Sequence, residues 1–247
     1  MHNLDLVSDR KGGHMDFTPR VNDDNPDPRV ACALLLDTSG SMEGERIRAM
    51  NEGFELFCSE IKADPLAQKR TEVAVISFGG TARVEIPFTE GRNLQPRSFS
   101  ASGGTPLGAA LDLALDELAA QKSAYKQSGL EYYRPWLFVI TDGSPTDGPT
   151  FDAAAARVKA AEIAKGVTVF SVLVEGGDRN QLRRLSDERE PLDLRSTTSF
   201  RELFAWLSAS MRVVSNSSTF GRSDSGVTQA EATDQNALPS PAGWAKW

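Results

Sequence analysis

Three short stretches of the chain place carboxylate and hydroxyl side chains where strands are expected to end or helices to begin. The first follows an apolar run at 30–36, the second follows Gly103 and Gly104, and the third follows an apolar run at 136–141. Their oxygens are hard ligands, which suit Mg²⁺ or Mn²⁺ better than a metal that prefers thiolates. We therefore interpret five side chains as ligands of one divalent cation: Asp37, Ser39, Ser41, Thr105 and Asp142.

These residues need a scaffold that brings distant stretches together, and the apolar pattern predicts an α/β fold. The run at 30–36 contains no polar residue, which is typical of a strand buried on both faces. Similar runs alternate with helical patterns, so we predict a doubly wound, mostly parallel six-stranded sheet with helices on both faces. The predicted strands span 30–36, 72–78, 83–88, 136–141, 167–174 and 192–194, and the main predicted helices span 45–61, 106–125, 151–165 and 199–213.

The order of these elements places the candidate ligands at one edge of the sheet. Asp37 and Asp142 end parallel strands, and the carboxyl ends of such strands form the ligand-binding crevice of open α/β folds. Thr105 is expected to be the N-cap of the helix that Pro106 opens. The strand at 83–88 follows its predecessor too closely for a parallel crossover, so it is expected to pair antiparallel as an edge strand.

The charge of the predicted site indicates what it would bind. Mg²⁺ takes about six oxygens and keeps waters where the protein supplies fewer. The five candidate ligands carry only two negative charges, those of Asp37 and Asp142, so the site favours an acidic group from another molecule. Asp147, further along the third stretch, is interpreted as an ordinary loop residue, with a hydrogen-bond acceptor that supports the site or a charge at its rim as the alternatives.

Composition excludes several classes of function. The formal net charge is −7 with a sequence pI of about 5.0, and no Lys/Arg cluster indicates a nucleic-acid face. The chain lacks an apolar run of about 18 residues, so no membrane span is expected, and without an apolar leader we expect a cytoplasmic protein. Both histidines, His2 and His14, precede the predicted core, which therefore has no Ser-His-Asp or Cys-His chemistry.

The ends of the chain differ in composition from its middle. Residues 1–28 are polar and rich in Asn, Asp and Pro, and we predict a flexible leader in which Met15 is an alternative start. A single domain is predicted over 29–214. Residues 215–247 are predicted to be a flexible tail, whose terminal patch with Trp244 and Trp247 docks either on its own domain or on a partner.

The three stretches together resemble the von Willebrand factor A (VWA) domain, a Rossmann-like fold whose metal-ion-dependent adhesion site (MIDAS) has the pattern DxSxS…T…D. The resemblance covers about 28–214. It implies that Ser39, Ser41 and often Thr105 touch the metal, and that Asp37 and Asp142 act directly or through water. It also implies that a carboxylate of a partner protein completes the metal's shell, with Mg²⁺ as the expected ion and Mn²⁺ or Ca²⁺ as alternatives.

A narrower resemblance is to the bacterial cytoplasmic subgroup of TerY-like and YegL-like proteins associated with tellurium resistance. Members of that group often accompany a protein kinase and a PP2C-type phosphatase in stress-response gene clusters. The resemblance implies such partners for this chain. It is carried by four runs: Leu34-Leu35-Leu36-Asp37-Thr38-Ser39-Gly40-Ser41-Met42, Ala63-Asp64-Pro65, Tyr132-Tyr133-Arg134-Pro135-Trp136 and Ile140-Thr141-Asp142-Gly143.

Three functions remain open at this stage. The first is a non-enzymatic, metal-dependent protein-interaction module. The second is a Mg²⁺-dependent phosphohydrolase on the same fold, but a HAD-type phosphatase needs an Asp where this chain has Ser39, and neither GxxxxGK[ST] nor GxGxxG is present. The third is a scaffold that acts mainly through its C-terminal tail.

Overall fold

The computed structural model describes residues 21–22, 24–142, 144–194, 196–197, 199–216 and 245–246, the last pair by backbone alone. Its strands are β1 Val30–Asp37, β2 Thr71–Gly79, β3 Thr81–Glu90, β4 Trp136–Thr141, β5 Thr168–Leu173, β6 Leu192–Leu194 and β7 Ala245–Lys246. Its helices are α1 Glu45–Ala63, α2 Ala67–Arg70, α3 Leu107–Gln127, α4 Gly148–Ile163, α5 Arg179–Arg183 and α6 Ser199–Asn216. Both histidines, Trp244 and Trp247 lie outside the described residues.

One sheet with strand order β3-β2-β1-β4-β5-β6-β7 runs through the domain. Strands β2, β1, β4, β5 and β6 are parallel, and β3 pairs antiparallel with β2 at one edge. The predicted doubly wound fold with an antiparallel edge strand is therefore confirmed. The sheet also gains β7, which pairs antiparallel with β6 and places the backbone of residues 245–246 on the domain itself.

Apolar cores lie on both faces of the sheet, and β1 is therefore buried along its whole length. Alternate residues of a strand point to opposite faces. Cys32, Leu34 and Leu36 accordingly pack with α1 and α6, whereas Ala33 and Leu35 pack with α3 and α4. Strand β1 lies between β2 and β4, so the loop after it is held from both sides.

A buried ion pair anchors the end of the sheet opposite the candidate site. Arg29 and Glu72 are almost completely buried, and the Arg29 Nε donates to a Glu72 oxygen at 3.0 Å. Gln121 and Tyr125 each donate to the other Glu72 oxygen at 2.6 Å. Burial raises the pKa of the Glu72 carboxyl, while the Tyr125 hydrogen bond and the Arg29 charge oppose that rise.

Residues just before β1 also contact the domain. Asn25 is buried, and its side-chain amide donates to the Lys69 carbonyl at 2.8 Å and to Glu90 at 2.9 Å. Asn25 belongs to the predicted leader, which ends at residue 28. The last residues of that leader therefore pack against the domain. Residues 1–20 of that leader lie outside the described residues, as does nearly all of the predicted tail beyond Asn216, where α6 ends. None of the helices among the described residues is long and apolar enough to cross a membrane.

Glu72→Leu tests the anchoring ion pair. The substitution leaves the Arg29 guanidinium buried without its counter-charge, and removing one partner of a buried pair typically costs about 3–5 kcal/mol. We expect a loss of that size in the free energy of unfolding, measured by urea denaturation. Asp152→Asn is the control, because it removes an ion pair with Arg184 that is exposed on both sides and is expected to change stability by less than about 1 kcal/mol. Equal losses in the two variants would contradict this account.

Candidate metal centre

Asp37 is the last residue of β1, and both of its carboxylate oxygens are held by neighbours. One oxygen accepts the backbone N–H of Ser39 at 2.8 Å, and the other accepts the hydroxyl of Thr141 at 2.6 Å. Thr141 ends β4, the strand adjacent to β1. Asp37 is therefore fixed in orientation by its own loop and by the neighbouring strand.

The pKa of the Asp37 carboxyl is affected by the charge of a second carboxylate, that of Asp142. Burial raises the pKa of the Asp37 carboxyl, and the negative charge of Asp142 raises it further. The hydrogen bonds from Ser39 and Thr141 act in the opposite direction. The structure thus brings the two predicted acidic ligands together at adjacent strand ends, where their charges repel one another.

Asp142 has an oxygen without a partner. The residue is buried, and its Oδ1 accepts no hydrogen bond from any described residue. Burying a carboxylate oxygen without a donor or a counter-charge is unfavourable. The backbone of Asp142 is better held, since its carbonyl accepts the N–H of Asp178 at 3.1 Å.

The two serines form the other part of the first loop. Ser39 has extended backbone, and a short 3₁₀ helix over Gly40–Met42 follows it. This turn places the hydroxyl oxygens of Ser39 and Ser41 3.0 Å apart. Ser39 is buried and Ser41 is exposed, so the candidate site opens to solvent at Ser41.

Thr105 lies in the second loop and is buried. The prediction that it caps the following helix is wrong, because α3 begins at Leu107 with Pro106 at the N-cap position. The N–H groups that an N-cap would accept, those of Gly108 and Ala109, donate to the Asp147 carboxylate instead, and the N–H of Thr105 donates to the Thr146 hydroxyl at 3.0 Å. Its hydroxyl is thereby left out of helix capping.

Backbone hydrogen bonds join the loop of Thr105 to the loop of Asp37 and to the turn between β2 and β3. Gly40 donates to the carbonyl of Gly103 at 2.9 Å, and Gly80 donates to that of Gly104 at 2.7 Å. Gly103 adopts a positive φ of 72° and lies so close to Gly80 that an added Cβ would be 2.7 Å from its Cα. Glycines therefore allow the loop that contains Thr105 to lie directly against the turn between β2 and β3.

Three residues that shape the site were not predicted to do so: Thr141, Thr146 and Gly177. Asp147 is the hydrogen-bond acceptor that was the alternative interpretation, because its carboxylate accepts the N–H groups of Gly108 and Ala109 at 3.2 and 2.9 Å. The run Asp147-Gly148-Pro149 is itself typical of a helix start. This signal identifies Asp147 as a helix cap, but it does not indicate that the carboxylate caps α3.

The donor set suits a hard divalent cation. In the described part of the chain, no three His, Cys, Asp or Glu side chains are grouped to hold a metal. The two carboxylates would therefore have to bind it together with hydroxyl oxygens, which serine and threonine supply here. The unpartnered oxygen of Asp142 and the repulsion between the carboxylates both fit an added positive charge.

Comparison with known proteins agrees with this geometry. The family model described as the von Willebrand factor type A domain matches residues 32–205. Similar solved structures include the vWF domain of the type V pili tip protein Mfa5 from Porphyromonas gingivalis, with 12% identity and a TM-score of 0.61 over 78% of this chain and 98% of that chain. No curated protein matches the chain.

Two further structures are parts of longer proteins. The pilus adhesin SpaC from Lactobacillus rhamnosus GG has 16% identity and a TM-score of 0.60 over 76% of this chain. The von Willebrand factor type A protein from Catenulispora acidiphila has 16% identity and a TM-score of 0.58 over 75% of this chain. The matched regions span only 31% and 43% of those proteins, and at such identities the likeness shows the fold alone.

Gly177→Ala tests whether close packing holds Asp142. An added Cβ would lie 1.8 Å from the Asp142 carbonyl oxygen, so the strand end must move. Overpacking of this kind costs about 1–3 kcal/mol, and we expect that loss in urea denaturation together with weaker Mn²⁺ binding by calorimetry. Gly148→Ala is the matched control, because an added Cβ there has no neighbour within 4 Å, and it should behave as wild type. Wild-type behaviour of Gly177→Ala would contradict this packing.

Proposed function

We infer that this chain, which belongs to the von Willebrand factor type A domain family, binds a divalent cation at the carboxyl edge of its sheet and thereby holds an acidic side chain of a partner protein. Domains of this family commonly mediate metal-dependent protein interactions. The proposal is that the chain does so without catalysing a reaction.

The unpartnered Oδ1 of Asp142 carries this proposal. It is buried next to the Asp37 carboxylate, and neither acid forms an ion pair within the described part of the chain. Two neighbouring buried negative charges without a counter-charge destabilise a fold. A cation bound between the loops would remove that penalty, so the arrangement is best explained as a binding site.

Each proposed ligand has a distinct part in the site. Ser39, Ser41 and Thr105 would contact the ion through their hydroxyls, whereas Asp37 and Asp142 would contribute charge directly or through water. Mg²⁺ is the proposed ion, because it prefers oxygen ligands and keeps several waters, with Mn²⁺ or Ca²⁺ as alternatives. The hydrogen bonds that Asp37 receives from Ser39 and Thr141 keep its carboxylate oriented towards the site.

The same arrangement favours an acidic partner. Two carboxylates formally balance a divalent cation, but five side-chain oxygens leave a six-coordinate ion at least one open position, which an anionic oxygen of a partner can fill in place of water. Asp37, Ser39, Thr105 and Asp142 are buried, while Ser41 is exposed, so a partner would approach from the side of Ser41. An Asp or Glu side chain on a protein surface fits both the charge and the access.

The cellular setting is a proposal that rests on the sequence alone. Four runs resemble those of TerY-like and YegL-like proteins, and on that resemblance we propose a bacterial, cytoplasmic, stress-response role, with a kinase and a PP2C-type phosphatase as candidate partners. The acidic composition argues against nucleic acid as the partner.

Two alternatives make different demands on the same residues. A phosphohydrolase would need a nucleophile and a general acid, but the position two residues after Asp37 is Ser39, whose hydroxyl lies 3.0 Å from that of Ser41. Turnover of a generic phosphate ester that Asp37→Asn abolishes would favour this alternative. A scaffold acting through its tail would keep its partner in variants that lack the metal ligands.

A pull-down from cell extract tests the proposed function. With the full chain as bait, we expect a partner that is captured in Mg²⁺ and lost in EDTA, because its carboxylate is held through the ion. Asp37→Ala and Asp142→Asn should lose the same partner while keeping a folded circular dichroism spectrum. Mass spectrometry of the eluates gives the measurement.

Matched baits separate the explanations. Asp152→Asn removes an exposed carboxylate outside the site and should retain the partner. A chain that ends at Asn216 should also retain it if the metal site does the binding, and should lose it if the tail does. Capture that is equal in Mg²⁺ and EDTA would refute the metal-dependent function.

A further inference from the structure

Thr146, in the loop that follows β4, forms hydrogen bonds with both backbone groups of Thr105. The Thr146 hydroxyl accepts the N–H of Thr105 at 3.0 Å, and the Thr146 N–H donates to the carbonyl of Thr105 at 2.9 Å. Both backbone groups of one proposed ligand are therefore bound by a single residue of the loop that begins with Asp142. The two residues are separated by forty-one positions in sequence, so this contact exists only in the folded domain.

Asp147 completes the attachment by capping α3 from outside that helix. An α-helix leaves its first four N–H groups without intrahelical partners. In α3 the Asp147 carboxylate accepts two of them, those of Gly108 and Ala109. The Leu107 N–H donates to the Thr105 carbonyl, and Pro106 has no N–H, so every N–H before the first regular helical bond, from Ala110 to Pro106, has an acceptor.

The same residue starts the next helix. Asp147 is the N-cap of α4, and its carbonyl accepts the N–H of Phe151 at 2.9 Å. One negative charge thus lies at the N-termini of two helices, where the partial positive charges of the helix ends stabilise it. At Gly108 an added Cβ would be 2.3 Å from the backbone N of Phe151, so the two helix starts are in direct backbone contact.

We propose that Thr146 and Asp147 are positioning residues that clamp Thr105 and the first turn of α3 to the loop of Asp142, so that two ligands from different loops move as one unit. The proposal rests on the metal-binding function inferred above, and it explains what holds Thr105 in place relative to Asp142. Thr146 is exposed and Asp147 is half-buried, and neither is among the proposed ligands.

The clamp has a consequence for metal affinity. Without the Asp147 carboxylate, two N–H groups at the start of α3 lose their acceptor and the turn that follows Thr105 is released. Without the Thr146 hydroxyl, the Thr105 N–H loses its own acceptor. Loss of residues that orient metal ligands typically weakens binding by about 10- to 100-fold, although the ligands themselves remain.

The test compares Mn²⁺ affinity and thermal stability in the full chain. We expect Asp147→Ala and Thr146→Val each to weaken Mn²⁺ binding by at least ~10-fold in calorimetric titrations. Thr146→Ser keeps the hydroxyl and should bind as wild type. Thr146→Val changes one exposed side chain, so it yields a folded sample even if Asp147→Ala does not.

Asp64→Ala is the matched control for a cap that is merely structural. The Asp64 carboxylate also accepts two N–H groups, those of Leu66 and Ala67 at 3.0 and 2.8 Å, but it lies between α1 and β2 at the opposite end of the sheet. We expect it to lower the melting temperature by about 2–4 °C, as Asp147→Ala does, yet to leave Mn²⁺ affinity within about twofold of wild type.

The outcomes separate the clamp from the function on which it rests. Wild-type affinity in both Asp147→Ala and Thr146→Val, with Mn²⁺ bound by the wild-type chain, would overturn the clamp and leave the metal site standing. Failure of the wild-type chain to bind Mn²⁺ would overturn both. Equal loss of affinity in Asp64→Ala would show that destabilisation, not positioning, weakens binding, and would also overturn the clamp.

Discussion

The repulsion between two buried carboxylates is the constraint around which this domain is arranged. Asp37 ends β1 and Asp142 directly follows β4, the adjacent parallel strand, so the two residues lie at the same edge of the sheet. Burial and the charge of Asp142 both raise the pKa of Asp37, which means that the ionised carboxylate is destabilised at this position in the middle of the sheet. The proposed metal site therefore has two requirements: the surrounding groups must hold the carboxylates in place, and a cation must offset their charge.

The surrounding structure meets the first of those requirements. Thr141 and the backbone of Ser39 hold Asp37, while the carbonyl of Asp142 is held by Asp178 against Gly177. Glycines at the loop contacts allow backbone to touch backbone, which leaves the three loops little freedom to separate. The Arg29–Glu72 pair fixes the opposite end of the same strands, so the register of β1 and β2 is held at both ends.

Much of the fold could be predicted from local pattern. Strand β4 has the predicted bounds, because an almost uninterrupted apolar run marks a buried strand. Strand β6 also has the predicted bounds, and its two leucines alternate with the half-buried Asp193. The five candidate ligands follow from residue type and position at predicted strand ends. Their assignment to a metal remains a proposal, although the structure brings Asp37, Asp142 and the two serines together as expected.

The rest depends on contacts that no local pattern contains. Thr105 was expected to cap its own helix, but Asp147 does so from a loop thirty-eight residues away, and Thr146 takes the Thr105 N–H. Such side-chain-to-backbone bonds are decided by which loops lie together in the folded domain. The pairing of β7 with β6 is of the same kind, since two residues far along the chain add to an existing sheet edge.

The most direct measurement of the central claim is a crystal structure of the full chain grown with Mn²⁺, using the anomalous signal of manganese to locate the ion. The account predicts one strong peak at the carboxyl edge of the sheet, within bonding distance of the Ser39 and Ser41 hydroxyls and adjacent to Asp37, Thr105 and Asp142. An absent peak at saturating Mn²⁺, or a peak that avoids these residues, would contradict it.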